Sequence, residues 1–107
     1  MSKVLDDPNI EIINKCVREI VPNARIILFG SRAKRLSDEH SDYDILVIVD
    51  SEMPRKKLWN ISKKIRKSLA QHRIPVDAII RTPNMVKKSA EYYWTIVSEA
   101  LETGIEL

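Results

Sequence analysis

Two short, largely apolar runs, Arg25-Ile26-Ile27-Leu28-Phe29 and Ile45-Leu46-Val47-Ile48-Val49, flank a polar stretch that opens with Gly30-Ser31 and closes with Asp42-Tyr43-Asp44. Both runs are rich in β-branched residues and bounded by turn formers, so both read as strands buried on two faces. Side chains alternate along a strand, which puts Asp42 and Asp44 on one side and Tyr43 on the other. Two carboxylates side by side at a strand's edge repel each other unless a cation lies between them. A Gly-Ser turn that opens a helix offers backbone N–H groups to an anion. Together these parts describe a metal–phosphate site.

The rest of the chain fits around that pair. At 107 residues it is long enough for a single core and too short for two, so a single domain, residues 1–107, is expected. The apolar fraction of 44% and charged fraction of 31% are those of an ordinary globular chain. No apolar run approaches the length of a membrane span, and the start leads into Asp6-Asp7 rather than an apolar signal core. The lone Cys16 has no partner for an internal disulfide, which fits a reducing cytoplasm, and its place on an apolar helical face makes it a packed thiol.

Ile10, Ile13, Val17 and Ile20 recur at helical spacing behind Asn9, the expected N-cap. The first strand is expected over residues 24–29, a short helix over 31–35, a polar loop over 36–41 and the second strand over 43–49. Apolar on both faces, that second strand belongs at the centre of its sheet. Met53-Pro54 opens a long helix with Leu58, Ile61, Ile65 and Leu69 as its buried stripe and Trp59 packed near its edge. Val76 to Ile80 is the third strand. Thr82-Pro83 starts one or two helices that end at Gly104, a natural C′ residue, before a terminal strand or frayed tail. Helices alternating with strands in this order predict an α/β (α+β) fold, a small mixed sheet flanked by helices.

Asp77 is the anomaly of the third strand, a carboxylate in an apolar run, where it is costly unless paired or metal-bound. Alone it reads as an edge residue facing water; beside Asp42 and Asp44 it reads as a third metal-facing carboxylate. Phosphoryl and nucleotidyl transfer asks a protein for positioning and charge neutralisation above all. Mg²⁺ binds through a few carboxylates together with substrate phosphates. Asp42, Asp44 and Asp77 are therefore the candidate metal ligands, with Asp77 also a candidate base for an attacking hydroxyl. Gly30 lets backbone approach a phosphate, Ser31 adds a hydroxyl and an amide, and Arg32 and Lys34 are candidate partners of a leaving pyrophosphate. His40 and His72 are single and far apart, and read as loop or surface residues.

Leu28-Phe29-Gly30-Ser31-Arg32-Ala33-Lys34 followed by Ser41-Asp42-Tyr43-Asp44-Ile45, with Asp77 downstream, resembles the minimal nucleotidyltransferase (MNT) family of the DNA polymerase β-like superfamily. That family's pattern is Gly-Ser, a spacer, Asp-x-Asp and a later Asp in a strand, and the match spans residues 25–80. The resemblance implies the polymerase β-like nucleotidyltransferase fold, Mg²⁺ dependence and transfer of a nucleoside monophosphate from an NTP. It further implies an antitoxin partnered by a HEPN-domain RNase toxin, silenced by transfer of AMP from ATP to one of its tyrosines. One departure stands out: Arg35 occupies a place where the family usually carries Gly, which bears on how the loop over 36–41 positions substrate.

Two other readings remain at this stage. Between Arg55 and Arg73 lie eight basic residues and no acidic one, either the solvated face of a helix or a docking surface for an acidic partner or a nucleic acid. With Tyr92-Tyr93-Trp94, either core packing or an interface cluster, that run supports a non-catalytic module that neutralises a partner by contact. A nucleic-acid-binding regulator is the remaining reading, although no recognised reading motif accompanies the charge.

Overall fold

A computed structural model describes residues 7–33, 42–89, 91 and 95–107. Lys34, Arg35, Asp38, Glu39 and His40, the loop over 36–41, and Tyr92, Tyr93 and Trp94 lie outside the described residues. Among the described residues the elements follow in the order α1 (Pro8–Ile20), β1 (Arg25–Phe29), α2 (Gly30–Ala33), β2 (Tyr43–Ile48), α3 (Arg55–Ala70), β3 (Val76–Arg81), α4 (Pro83–Ser89), α5 (Ile96–Thr103) and β4 (Ile105–Glu106).

The strands form a mixed sheet in the order β3-β2-β1-β4. β1 pairs antiparallel with both β2 and β4, and β2 pairs parallel with β3. The α3 crossover supplies the long connection that a parallel pair needs. β2 is central, as its two-sided apolar pattern requires.

Strand alternation sorts the core into two layers. Ile26, Leu28, Tyr43, Ile45, Val47, Ala78 and Ile80 face α1 and α3, meeting Ile13, Val17, Leu58, Ile65 and Leu69. Ile27, Phe29, Leu46 and Ile48 face the other way, against Val97 and Ala100 of α5 and Val86 of α4. Cys16 is buried in the first layer as a packed thiol. Among the described residues no helix is long and apolar enough to cross a membrane.

Several local expectations change. Asp7, not Asn9, caps α1: its carboxylate accepts from the Asn9 N–H at 2.9 Å. The cap moves because Pro8 occupies the first turn, where a missing N–H costs nothing. Ile61 is partly buried, and Ser62 joins Leu58, Ile65 and Leu69 on the sheet-facing side of α3. The Ser62 hydroxyl donates to the Ala78 carbonyl at 3.1 Å, which makes a polar residue tolerable there. Trp59, expected to pack, is 62% exposed, with the Lys63 ammonium 4.3 Å from its ring centroid.

At the end of α5, Gly104 is extended at φ −81° rather than left-handed. Space explains it: a Cβ there would strike the Ala100 carbonyl, an Ile27 methyl and the Leu28 carbonyl. The tail is a strand, tied down by the Leu107 N–H to the Ile26 carbonyl at 2.8 Å and by an Arg25–Glu106 ion pair at 2.7 Å. His72 is an exposed surface residue just past α3.

Candidate functional site

The parallel pairing of β2 with β3 sets Asp44 directly beside Asp77 in register. Neighbouring strands lie about 4.8 Å apart, so two carboxylates from distant parts of the chain become adjacent. Asp44 has the strand parity of Leu46 and Ile48, whose layer faces α5, while Tyr43 is buried in the opposite layer. Asp42 is exposed just before β2.

Negative charge gathers around Asp44 at this edge. The Asp44 carboxyl is pushed above its usual range, first by burial, then by the negative charges of Asp77, Asp42 and Glu99. The Asp77 carboxylate, half-exposed, accepts from the Arg66 guanidinium at 3.0 Å. The antiparallel register of β1 with β2 brings Phe29 opposite Asp44, so Gly30 arrives against that carboxylate. Gly30 has φ +75°, and a Cβ there would collide with Asp44 Oδ2.

Among the described residues no three His, Cys, Asp or Glu side chains stand close enough to enclose a cation by themselves. The donor set nonetheless fits a hard divalent ion, because Asp44 and Asp77 offer oxygens only, and the charge that raises Asp44 is what such an ion would relieve. An ion of this class completes its shell with waters and substrate phosphates, so a partly open carboxylate set suits it.

The remaining expected residues fall out as follows. Gly30 and Ser31 open α2, and the Arg32 guanidinium lies 4.2 Å from the Tyr43 ring centroid. Arg32 therefore stacks on the residue between the two aspartates. The Tyr43 hydroxyl donates to the Asp7 carboxylate and accepts from Asn9 Nδ2 at 3.2 Å, fastening the start of α1 beneath the site.

Sequence reasoning missed two side chains. Glu99 comes from the first turn of α5 and acts electrostatically on Asp44; no local pattern links it to β2, since only the packing of α5 on the sheet brings it there. Arg66 reads in the sequence as one of a basic run; its pairing with Asp77 follows only from the packing of α3 against β3.

Comparison with known proteins bears on the family and the fold. A family model described as "Nucleotidyltransferase domain" matches residues 10–106. A protein of Methanocaldococcus jannaschii named "Putative protein adenylyltransferase MJ0141" is 35% identical over 83 residues, 78% of this chain and 77% of that one. Among solved structures, a toxin–antitoxin crystallised with AMP-PNP superposes with a TM-score of 0.61 at 22% identity, covering 92% of this chain and 71% of that one. A mutant of the MntA-HpeT toxin–antitoxin superposes with a TM-score of 0.59 at 24% identity and the same coverage. At these identities the structural likeness is one of fold.

Proposed function

This chain belongs to the nucleotidyltransferase-domain family and is a nucleotidyltransferase; from that premise we propose that it transfers AMP from ATP to a hydroxyl of a protein partner, with Mg²⁺ as the divalent ion. The observation that carries the reading is Asp44 in register with Asp77, its carboxyl raised by burial and by surrounding negative charge. The relative named as an adenylyltransferase supports AMP as the group moved. The toxin–antitoxin neighbours, one crystallised with AMP-PNP, support a toxin as the partner. The finer reading is a tyrosine of a HEPN-domain toxin as acceptor and this chain as its antitoxin.

In this mechanism Asp42, Asp44 and Asp77 would hold Mg²⁺, and the chemistry it would supply is neutralisation of negative charge on the triphosphate. Gly30 leaves room for the Asp44 carboxylate and lets the backbone approach a phosphate. Ser31, Arg32 and Lys34 bind the triphosphate. The acceptor oxygen bonds to the α-phosphorus while the bond from that phosphorus to the β-phosphate oxygen breaks, and pyrophosphate leaves. Asp77 takes the acceptor's proton.

The test is incubation of the protein with α-labelled ATP, Mg²⁺ and its cognate partner. Label is expected on the partner. If it persists after the double change Asp42→Asn with Asp44→Asn, the assignment is wrong.

The exposed Trp59 on basic α3 favours one second reading, neutralisation of the partner by contact. Retained neutralisation in cells by the same double mutant would establish contact as sufficient.

A further inference from the structure

β3 ends the sheet among the described residues, and beside its free edge α3 encloses a groove of about 480 Å³. Arg55, Arg66, Arg81 and the exposed Trp59 line it. The Tyr43 N–H donates to the Pro75 carbonyl and the Val49 N–H to the Arg81 carbonyl, both at 3.0 Å. These bonds turn the odd-numbered residues of β3 toward β2, so the main-chain groups of Ala78 and Ile80 point out of the sheet. Two contacts agree: Ser62 Oγ reaches the Ala78 carbonyl, and the Arg81 guanidinium reaches the Ile80 carbonyl at 2.9 Å. The N–H groups of Ala78 and Ile80 therefore face the groove.

Charge in the groove is unbalanced. Among the described residues Asp77 is its one acidic lining residue, and it is already paired with Arg66. Arg55 and Arg81 make no ion pair among the described residues. Partial burial, and then the charge of Arg55, pulls the Arg81 guanidinium below its usual value. Cations held together at a half-buried strand edge gain from an incoming anion.

We propose that this groove receives an acidic, extended segment of the acceptor protein, laid along the free edge of β3. Its carboxylates meet Arg55 and Arg81, and its main-chain carbonyls accept from Ala78 and Ile80, a form of strand addition. The proposal rests on the reading that the acceptor is a protein. One end of the groove is Asp77, in register with Asp44, so a segment seated there brings its hydroxyl to the carboxylates. A nucleic acid would satisfy the cations but offers no regular row of carbonyls to the strand edge.

The experiment uses a fluorescein-labelled decapeptide of alternating Glu and Val around a central Tyr, with binding read by anisotropy at low salt without nucleotide. The full chain is expected to bind it, and Arg55→Glu with Arg81→Glu to weaken binding at least tenfold. The milder Arg55→Gln with Arg81→Gln, which adds no repulsion, weakens it at least threefold. Lys67→Glu, on α3 but outside the groove, changes it less than twofold. Absence of binding, equal weakening by Lys67→Glu, or tighter binding of a thymidine decanucleotide overturns the proposal. Transfer to the cognate partner separates the two readings. If the peptide binds as described but no AMP is transferred, only the transfer reading falls; if transfer in the Arg55→Glu, Arg81→Glu protein keeps an unchanged KM for the partner, only the groove falls.

Discussion

The Asp44 carboxylate occupies the space that a side chain on Gly30 would fill, and Gly30 holds φ +75°, where other residues are strained. Sequence neighbours of neither, the two residues are brought together by the antiparallel register of β1 with β2. Gly30→Ala therefore carries a double penalty, a left-handed backbone and a displaced carboxylate. The expected loss of stability is about 1–3 kcal/mol, read by urea denaturation. Transfer activity should fall further than stability alone explains, because Asp44 must move; a variant with unchanged activity would remove Asp44 from the site.

The raised Asp44 carboxyl makes stability depend on pH in a defined sense. A carboxyl whose folded pKa lies above its unfolded value of about 4 favours folding most below that value. Its contribution is lost as pH rises through the folded pKa. Without divalent ions, thermal melts should therefore show this contribution fading above pH about 4, and Mg²⁺ should restore stability near neutrality but not in acid. Glu99→Gln and Asp77→Asn each remove a negative neighbour and should bring the Asp44 titration down, followed by carboxyl NMR; an unmoved Asp44 in both would contradict the arrangement.

Tyr43 ties the site to α1. Replacing it with Phe keeps the ring beneath Arg32 but removes the hydroxyl bonded to Asp7 and Asn9. The expected cost is about 1–2 kcal/mol. Asp7 still caps α1 through the Asn9 N–H, so helix content by circular dichroism should stay constant while the denaturation midpoint drops.

Arg73 offers a gain. It follows α3 at φ +59°, with its N–H bonded to the Ala70 carbonyl and the Ile74 N–H bonded to the Leu69 carbonyl. That is the helix-ending pattern in which glycine normally stands. Arg73→Gly should relieve the left-handed strain and stabilise the protein by roughly 0.5–1 kcal/mol after the added freedom of the unfolded chain is subtracted. A lowered melting temperature would show that the Arg73 side chain makes a compensating contact.

Much of the fold was legible because its signals are local. The β-branched runs of β1 and β2 declare themselves within a few residues, and alternation alone separates Tyr43 from Asp44. The apolar spacing of α1 and α3 likewise marks both helices, although Pro8 shifted the cap of α1 to Asp7 and Ser62 joins the buried side of α3, where Ile61 is only partly buried. Trp59 was misread because helical spacing near a stripe says which way a side chain leans, not whether anything stands there to cover it.

By itself the sequence singled out the candidate residues: a Gly-Ser pair after a strand, two aspartates one residue apart, and a third in a later strand. Tertiary structure alone decided what those residues meet. Asp77 stands beside Asp44 because β2 and β3 pair in parallel, Glu99 bears on Asp44 because α5 packs on that face, and Arg66 reaches Asp77 around the free edge of the sheet. The reason is physical. Secondary structure answers to neighbours in the chain, whereas the field at a carboxylate is the sum of charges and burial contributed by strands and helices that only the folded core brings together.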